Sequence, residues 1–470
     1  MFLSGSYIDN IEKLDQMFDK CADIQGIDVS SELVQNKLLK SKRGKIYFIT
    51  EATGVITITQ VILGITSVEP VKKFGEIESI VMSGNAVLVM EQGGRCVACK
   101  VKANGYPGLS IGEAKDEQVL RGSNEGFCDS YKTNEVLIRK RLRTSELKME
   151  EFQIGEKSKA GVALLYMEGI ARNQVLDEVR KRLLGIKTDG LNDSGIIEQL
   201  TDNEIFGPFP KYMTTTRPDR ATQYLLAGKF VILTDNSPEA LLFPINAASF
   251  LKTADDYYEK YTVATFNRIL RLIAVFLSVS LPALYVEVVS FNPEILPGNL
   301  ANVFIQARKN IPYPVLIEVI LMEISFELIR EAGVRVPGTM GNSLGVVGGL
   351  VVGQAVVEAS LASPIIVVVT AITAMCSFTV PNVQFAEALR VIKYLMIIAA
   401  GFFGIFGYLT GLLLILINLS KADSFGFPYL GPLAAMEMNT KEAKKDFILR
   451  APFKYLKQEN INCQGSGKGK

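Results

Sequence analysis

The chain has 470 residues, with Lys and Arg totalling 50, Asp and Glu 49, and no His or Trp. The near-zero net charge argues against a nucleic-acid binder, which carries a basic excess. The missing His removes Ser-His-Asp and Cys-His nucleophile pairs and nearly all catalytic zinc sites, so no enzyme, cofactor or metal is expected.

The 48% hydrophobic content is unevenly spread. Residues 1–260 read as a soluble α/β sequence, and 269–419 hold long apolar runs. The expected fold class is an α/β soluble N-terminal half of two related subdomains followed by an α-helical multi-span membrane domain. The domains are placed at 1–150 (first subdomain and linker), 151–260 (second subdomain), 261–420 (membrane helices) and 421–470 (basic tail). Residues 1–19 carry Asp9, Glu12, Asp15 and Asp19 and no apolar core, so no signal peptide is expected and the soluble half is assigned to the cytoplasm.

In chain order, 45–50 reads as a buried strand and 61–65 as a further apolar segment. Residues 79–90 read as a strand joined through Gly93-Gly94 to a partner at 95–101, a hairpin. Cys96-Val-Ala-Cys99 lies in the second arm. Positions i and i+3 of a strand face opposite ways, so the pair reads as two packed cysteines and not as a redox or metal motif. The segment 121–127 reads as a turn, and the basic run 137–143 as a solvated face or a contact for acidic lipid or a partner's carboxylates. The opening order then recurs: a strand at 162–167, a helix at 173–184 with Val175, Val179 and Leu183 in register, Gly185-Ile186 echoing Gly64-Ile65, a strand at 226–233, a turn at 235–238 and a strand at 240–243.

A bilayer core about 30 Å thick needs about 20 helical residues. The run 272–291 fits, with Arg268 and Arg271 at its cytoplasmic start. The run 311–329 contains Glu318, Glu323 and Glu327 and ends in Arg330. Glu323, Glu327 and Arg330 fall on one helical face, and carboxylates at membrane depth face a polar cavity, a partner or wet interface. Residues 344–380 follow, broken at Ser363-Pro364. Gly345, Gly349 and Gly353 form a stripe for close helix packing, with Gln354 and Glu358 on another face. A last span at 394–419 carries Gly401, Gly404, Gly407 and Gly411. The tail 421–470 holds nine Lys/Arg against five Asp/Glu, which favours the cytoplasm and an even number of crossings, although the apolar runs number five.

Several ordered motifs carry a resemblance. They are Arg121-Gly122 with Glu125-Gly126-Phe127, Thr133-Asn134 with Leu137-Ile138-Arg139, Pro208-Phe209-Pro210, Arg217-Pro218-Asp219 and Asp256-Tyr257-Tyr258. Beyond them come Leu281-Pro282-Ala283-Leu284-Tyr285, the run from Met322 to Gly333, Ser363-Pro364, and Ser424-Phe425-Gly426 with Pro428-Tyr429-Leu430. Over roughly 79–432 the chain resembles the A subunit of spore germinant receptors, the GerA family. The resemblance implies a nutrient-sensor subunit in the inner membrane of a bacterial endospore. It implies as partners a transporter-like, germinant-binding B subunit, a lipoprotein C subunit and further copies of the chain, in a ring that acts as a nutrient-gated ion channel. The alternative is a scaffold or transporter-like subunit that couples a ligand-binding partner to a separate channel. Glu323, Glu327, Arg330, Gln354 and Glu358 are the pore or gating candidates. Gly345, Gly349, Gly353, Gly407 and Gly411 are the helix-packing candidates.

Overall fold

The computed structural model describes residues 3–4, 6–29, 43–50, 70–92, 95–101, 121–202, 207–335 and 353–431, with single positions 112, 114, 117, 119, 204, 349 and 450. The expected elements at 61–65, Gly64-Ile65, Gly93-Gly94 and Gly345 lie outside them.

The first unit opens with helix α1 (Tyr7–Met17), then β1 (Ile24–Val29), β2 (Gly44–Ile49), β3 (Pro70–Val71), helix α2 (Phe74–Met82), β4 (Ala86–Gln92) and β5 (Arg95–Val101). They form an antiparallel sheet ordered β1-β2-β4-β5-β3. The second unit opens with α3 (Tyr131–Arg141), then β6 (Leu147–Ile154), β7 (Ala160–Met167), α4 (Asn173–Gly185), α5 (Ser194–Thr201), β8 (Met213–Thr215), α6 (Pro218–Leu226), β9 (Phe230–Thr234) and β10 (Ala240–Phe243). Its sheet is ordered β6-β7-β9-β10-β8 and is again antiparallel. In each sheet, by order of appearance, the first, second, fourth, fifth and third strands lie side by side.

The likeness reaches local geometry. Helix α2 ends at Gly84 (φ 78°) and α6 at Gly228 (φ 74°), where a side chain would strain the left-handed backbone. The next amide reaches back five residues in both, Asn85 N–H to the Ile80 carbonyl at 3.2 Å and Lys229 N–H to the Tyr224 carbonyl at 3.0 Å. These two ends correct the strand expectations at 79–90 and 226–233. The run 79–90 opens as the last turn of α2, which buries Phe74, Ile77 and Val81 on one face, and 226–233 opens on the last residue of α6; in both the strand starts only after the glycine. Cys96 and Cys99 do face opposite sides of the first sheet, each in a different apolar cluster.

Helix α7 (Asp255–Tyr258) leads into the helical half: α8 (Tyr261–Ser290), α9 (Gly298–Arg308), α10 (Val315–Arg335), α11 (Pro364–Phe378) and α12 (Val383–Lys421). Helices α8 and α12 are long and apolar enough to cross a membrane; α11 is apolar but shorter. Helix α12 is not one rod. At Gly404 the backbone leaves helical geometry (φ 56°, ψ −137°). Beyond it the chain turns back, so that a Cβ on Gly407 would lie 2.0 Å from the Ala399 carbonyl oxygen and one on Gly411 2.5 Å from Met396 Sδ. In a straight helix, residues 396 and 411 would stand about 22 Å apart. The expected single span at 394–419 is therefore corrected to two antiparallel legs, 383–403 and 405–421. Glycine makes both the reversal and the contact possible, because any Cβ at 407 would enter the neighbouring backbone.

The first leg, about 31 Å long, runs antiparallel to α10, as the pairings Leu316 with Gly401, Glu323 with Lys393 and Glu327 with Arg390 show. Phe291, just past the end of α8, lies against Gly404. Both ends of α12 consequently sit at the soluble half, and its turn sits at the far end of α8. A single apolar core extends from one face of the second sheet (Leu165, Val231, Leu242) through Phe250 and Phe385 into the bundle (Val286, Val319, Ile397).

Candidate functional site

Three nodes tie the second unit to the bundle and the bundle to itself. The first is the joint between the linker, the second sheet and the start of α8. Arg217, 2% exposed, forms an ion pair with Asp219 and donates to the Ser123 carbonyl at 2.9 Å and the Glu117 carbonyl at 3.1 Å. Tyr258 Oη donates to Asp219 at 2.7 Å. Burial alone would raise the Asp219 carboxyl, but the hydrogen bonds from Arg217 and Tyr258 outweigh it and hold the group below its usual range. Gly122 (φ 136°) is needed here, because a Cβ would meet the Tyr258 ring at 3.0 Å. One turn away, buried Asp256 accepts from Arg268 Nε at 3.1 Å and from Arg271 Nη1 at 2.9 Å; these arginines lie one turn apart on α8. Arg271 also donates to the Leu251 carbonyl at 3.0 Å, so the segment 251–256 is tied along the first turns of the helix. Arg450, from the tail, donates to the carbonyls of Tyr257 and Glu259 at the same joint.

The second node docks the hairpin of α12 onto the second sheet. Phe385, at its outgoing end, stacks on Phe250 with ring centroids 5.0 Å apart and nearly parallel planes. At its returning end a two-residue ladder, β11 (Asp423–Ser424) with β12 (Phe427–Pro428), presents Phe425 to Tyr212 and Phe243. Ser424 Oγ donates to the Lys211 carbonyl at 2.8 Å, and Tyr429 Oη to the Pro210 carbonyl at 3.0 Å. Phe209 touches both Phe385 and Tyr429, closing the two ends of the hairpin over one side chain.

The third node lies inside the bundle. Glu323, 2% exposed, pairs with Lys393 of the first leg. Glu327 pairs with Arg330 on its own helix and with Arg390 at 2.8 Å. Toward the far end, Glu318 accepts from the Ser363 backbone N–H at 2.7 Å and from Arg308 Nε at 3.0 Å, while Ser363 Oγ and Tyr285 Oη lie 3.3 Å apart. Ser363 in turn caps α11. Charges buried at such depth persist where they are paired and hydrogen-bonded. Glu318 and Glu323 face neighbouring helices and are buried, while Glu327 is 34% exposed.

The candidates from sequence divide accordingly. Glu323, Glu327 and Arg330 are brought together, with Lys393 and Arg390 supplying charges that sequence reasoning left outside the last span. The signal was there: Arg390 and Lys393 are spaced i, i+3 and can face carboxylates spaced i, i+4 on an antiparallel helix. Gln354 and Glu358 are exposed on a helical stretch at 353–358, apart from this cluster. A Cβ on Gly349 would meet nothing within 4 Å, and one on Gly353 only Val367 at 3.7 Å. Gly407 and Gly411 sit at the seam of the hairpin. The basic run 137–143 is corrected from a solvated or partner-facing strip. Arg139 is fully buried against Asp23 (2.6 and 2.8 Å), and Lys140 and Arg141 both pair with Glu125.

Comparison with known proteins places these motifs in context. An uncharacterized membrane protein of Bacillus subtilis, YfkQ, is 35% identical over 96% of this chain and 90% of its own length. Spore germination protein KA of the same organism is 35% identical over 83% of this chain and 71% of its own. The N-terminal domain of the A subunit of the Bacillus megaterium spore germinant receptor GerK3 matches 52% of this chain and 96% of that domain at 23% identity, with a TM-score of 0.37. Residues 14–461 match the family of Bacillus/Clostridium GerA spore germination proteins, and the chain belongs to that family.

Proposed function

We propose that this GerA-family chain is the A subunit of a nutrient receptor of bacterial endospores, and that copies of it assemble in the inner spore membrane into a nutrient-gated ion channel. In this reading the B and C subunits are its partners and the soluble half lies on the core side. That half does not catalyse: it holds and moves the membrane helices. The observation that carries the reading is the shared core with its joint. The second sheet, the start of α8 and both ends of the α12 hairpin form one packed body, so a shift of the soluble half cannot leave the bundle unmoved.

A second reading, a scaffold coupling a ligand-binding partner to a separate channel, is favoured by the Glu323–Lys393 pair, which balances the buried charge within one chain. Single-channel recording from the purified protein in lipid separates the two. The channel reading expects discrete openings whose ion selectivity changes in the Glu323→Gln, Glu327→Gln double variant. Oligomers that insert and never conduct support the scaffold and overturn the channel.

A further inference from the structure

Helix α5 carries one carboxyl toward the membrane half that the joint does not use. Glu198 Oε2 accepts from Gln384 Nε2 at 3.2 Å, next to the N-cap of α12. The other end of that carboxamide, Gln384 Oε1, is buried without a hydrogen-bond partner among the described residues. A carboxylate and an amide oxygen are both pure acceptors, so a charged Glu198 leaves the amide oxygen unsatisfied and a neutral one supplies the missing donor. We infer that Glu198 is a proton-binding site, its neutral carboxyl and the Gln384 carboxamide closing a two-bond pair that fastens the soluble half to the α12 hairpin.

The surroundings agree. Facing Glu198 are the carboxylates of Asp202, at the end of its own helix, and Glu239, before β10. The phenols of Tyr212 and Tyr429 sense it from the segment before β8 and from the hairpin's return. The nearby cations are committed elsewhere: Lys211 to Asp202 and Glu204 at 2.8 and 3.1 Å, and Arg182 to Glu178 and the Thr201 carbonyl. Burial first, then Asp202 and Glu239, push the Glu198 carboxyl up to about 7, against a restraining hydrogen bond from Gln384. A raised value means that the docked state binds the proton more tightly than the undocked one. The stabilisation from the second bond is fully present below the ordinary carboxylate range, weakens as pH rises, and is lost above about 7, where only the bond from Gln384 Nε2 remains.

The test uses the full chain in lipid nanodiscs. Infrared difference spectra should show a carboxylic-acid C=O band that titrates near neutrality, is absent in Glu198→Gln, and moves to higher pH in Gln384→Leu, where the charged form loses its amide donor. In parallel, hydrogen exchange at 383–389, corrected for its intrinsic pH dependence, should rise by up to about tenfold per pH unit below the midpoint and then level off. In Glu198→Gln, whose amide keeps a donor and an acceptor, that exchange should stay flat. A band unaffected by Glu198→Gln, a midpoint in the ordinary carboxylate range, or the same exchange profile in both proteins overturns the proposal.

Discussion

Two sheets with one strand order do different work in this molecule. The second shares its core with the helical bundle, without a break from Leu165 to Ile397. The apolar clusters of the first sheet reach beyond their own unit, among the described residues, only at Val136 of α3. The first sheet is attached by polar contacts: Asp23 to Arg139, Glu78 to the backbone and hydroxyl of Ser145, and Lys148 to the carbonyls of Met17 and Asp19. A shared apolar core transmits displacement because it is close-packed, whereas a polar seam can open without unfolding either side. The difference teaches that topology does not set the role of a unit; what its outer face packs against does.

The largest expected effects come from cutting each attachment. Arg139→Ala strands buried Asp23, and removing one partner of a buried pair costs about 3–5 kcal/mol. Arg217→Ala leaves half-buried Asp219 held only by Tyr258 and a neighbouring backbone N–H, at a smaller cost. The comparison predicts different reach. Hydrogen exchange in Arg139→Ala should rise in β1–β5 and remain unchanged in α8 and α12, while Arg217→Ala should loosen β8, α6 and the first turns of α8 together. Equal loosening of the bundle by both variants would break the comparison.

A step smaller is the hairpin. Gly407→Ala places a methyl against the Ala399 carbonyl and should cost about 1–3 kcal/mol by overpacking, lowering the melting temperature in detergent without altering the protection of the first sheet. Acid should then act on the second unit through Asp219 and Glu150. Burial would raise both, but Arg217 and Tyr258 at Asp219, and Arg180 and Tyr166 at Glu150, hold them low. Depressed carboxyls contribute stability that is present above the ordinary carboxylate range and is lost as pH falls through their lowered values. The melting temperature should therefore drop on acidification below about pH 4, and less steeply in Asp219→Asn. The smallest effect is a control: Lys157→Ala, which breaks an exposed pair with Asp189, should change stability by no more than about 0.5 kcal/mol.

The division into an α/β half and a helical half could be read from the sequence, as could the recurrence inside the first, because hydrophobic periodicity and Gly punctuation are local signals. The ends of α2 and α6 were hidden because apolar helix and apolar strand look alike over five residues, and in both the boundary is set by a left-handed glycine. The α12 reversal was hidden for a related reason. A helix that turns on one glycine keeps an unbroken apolar run, and Gly404 lies among three other glycines. Of the candidate site, the carboxylates on α10 were visible because charge in an apolar run is conspicuous. Their partners Lys393 and Arg390 were not, since they stand just before the run and look like its cytoplasmic flank. The motif residues Arg217, Asp219 and Tyr258 could be recognised one by one, but their convergence depends on long-range folding.

The central claim is that the soluble half acts on the bundle through the joint where Asp256, Arg268 and Arg271 meet. Inserting a short flexible Gly-Ser segment after Lys260 slackens that joint without removing any side chain of the shared core. In spores that carry the altered chain at normal level in the membrane, the account predicts loss of the germination response to a rich nutrient mixture. An undiminished response would contradict it.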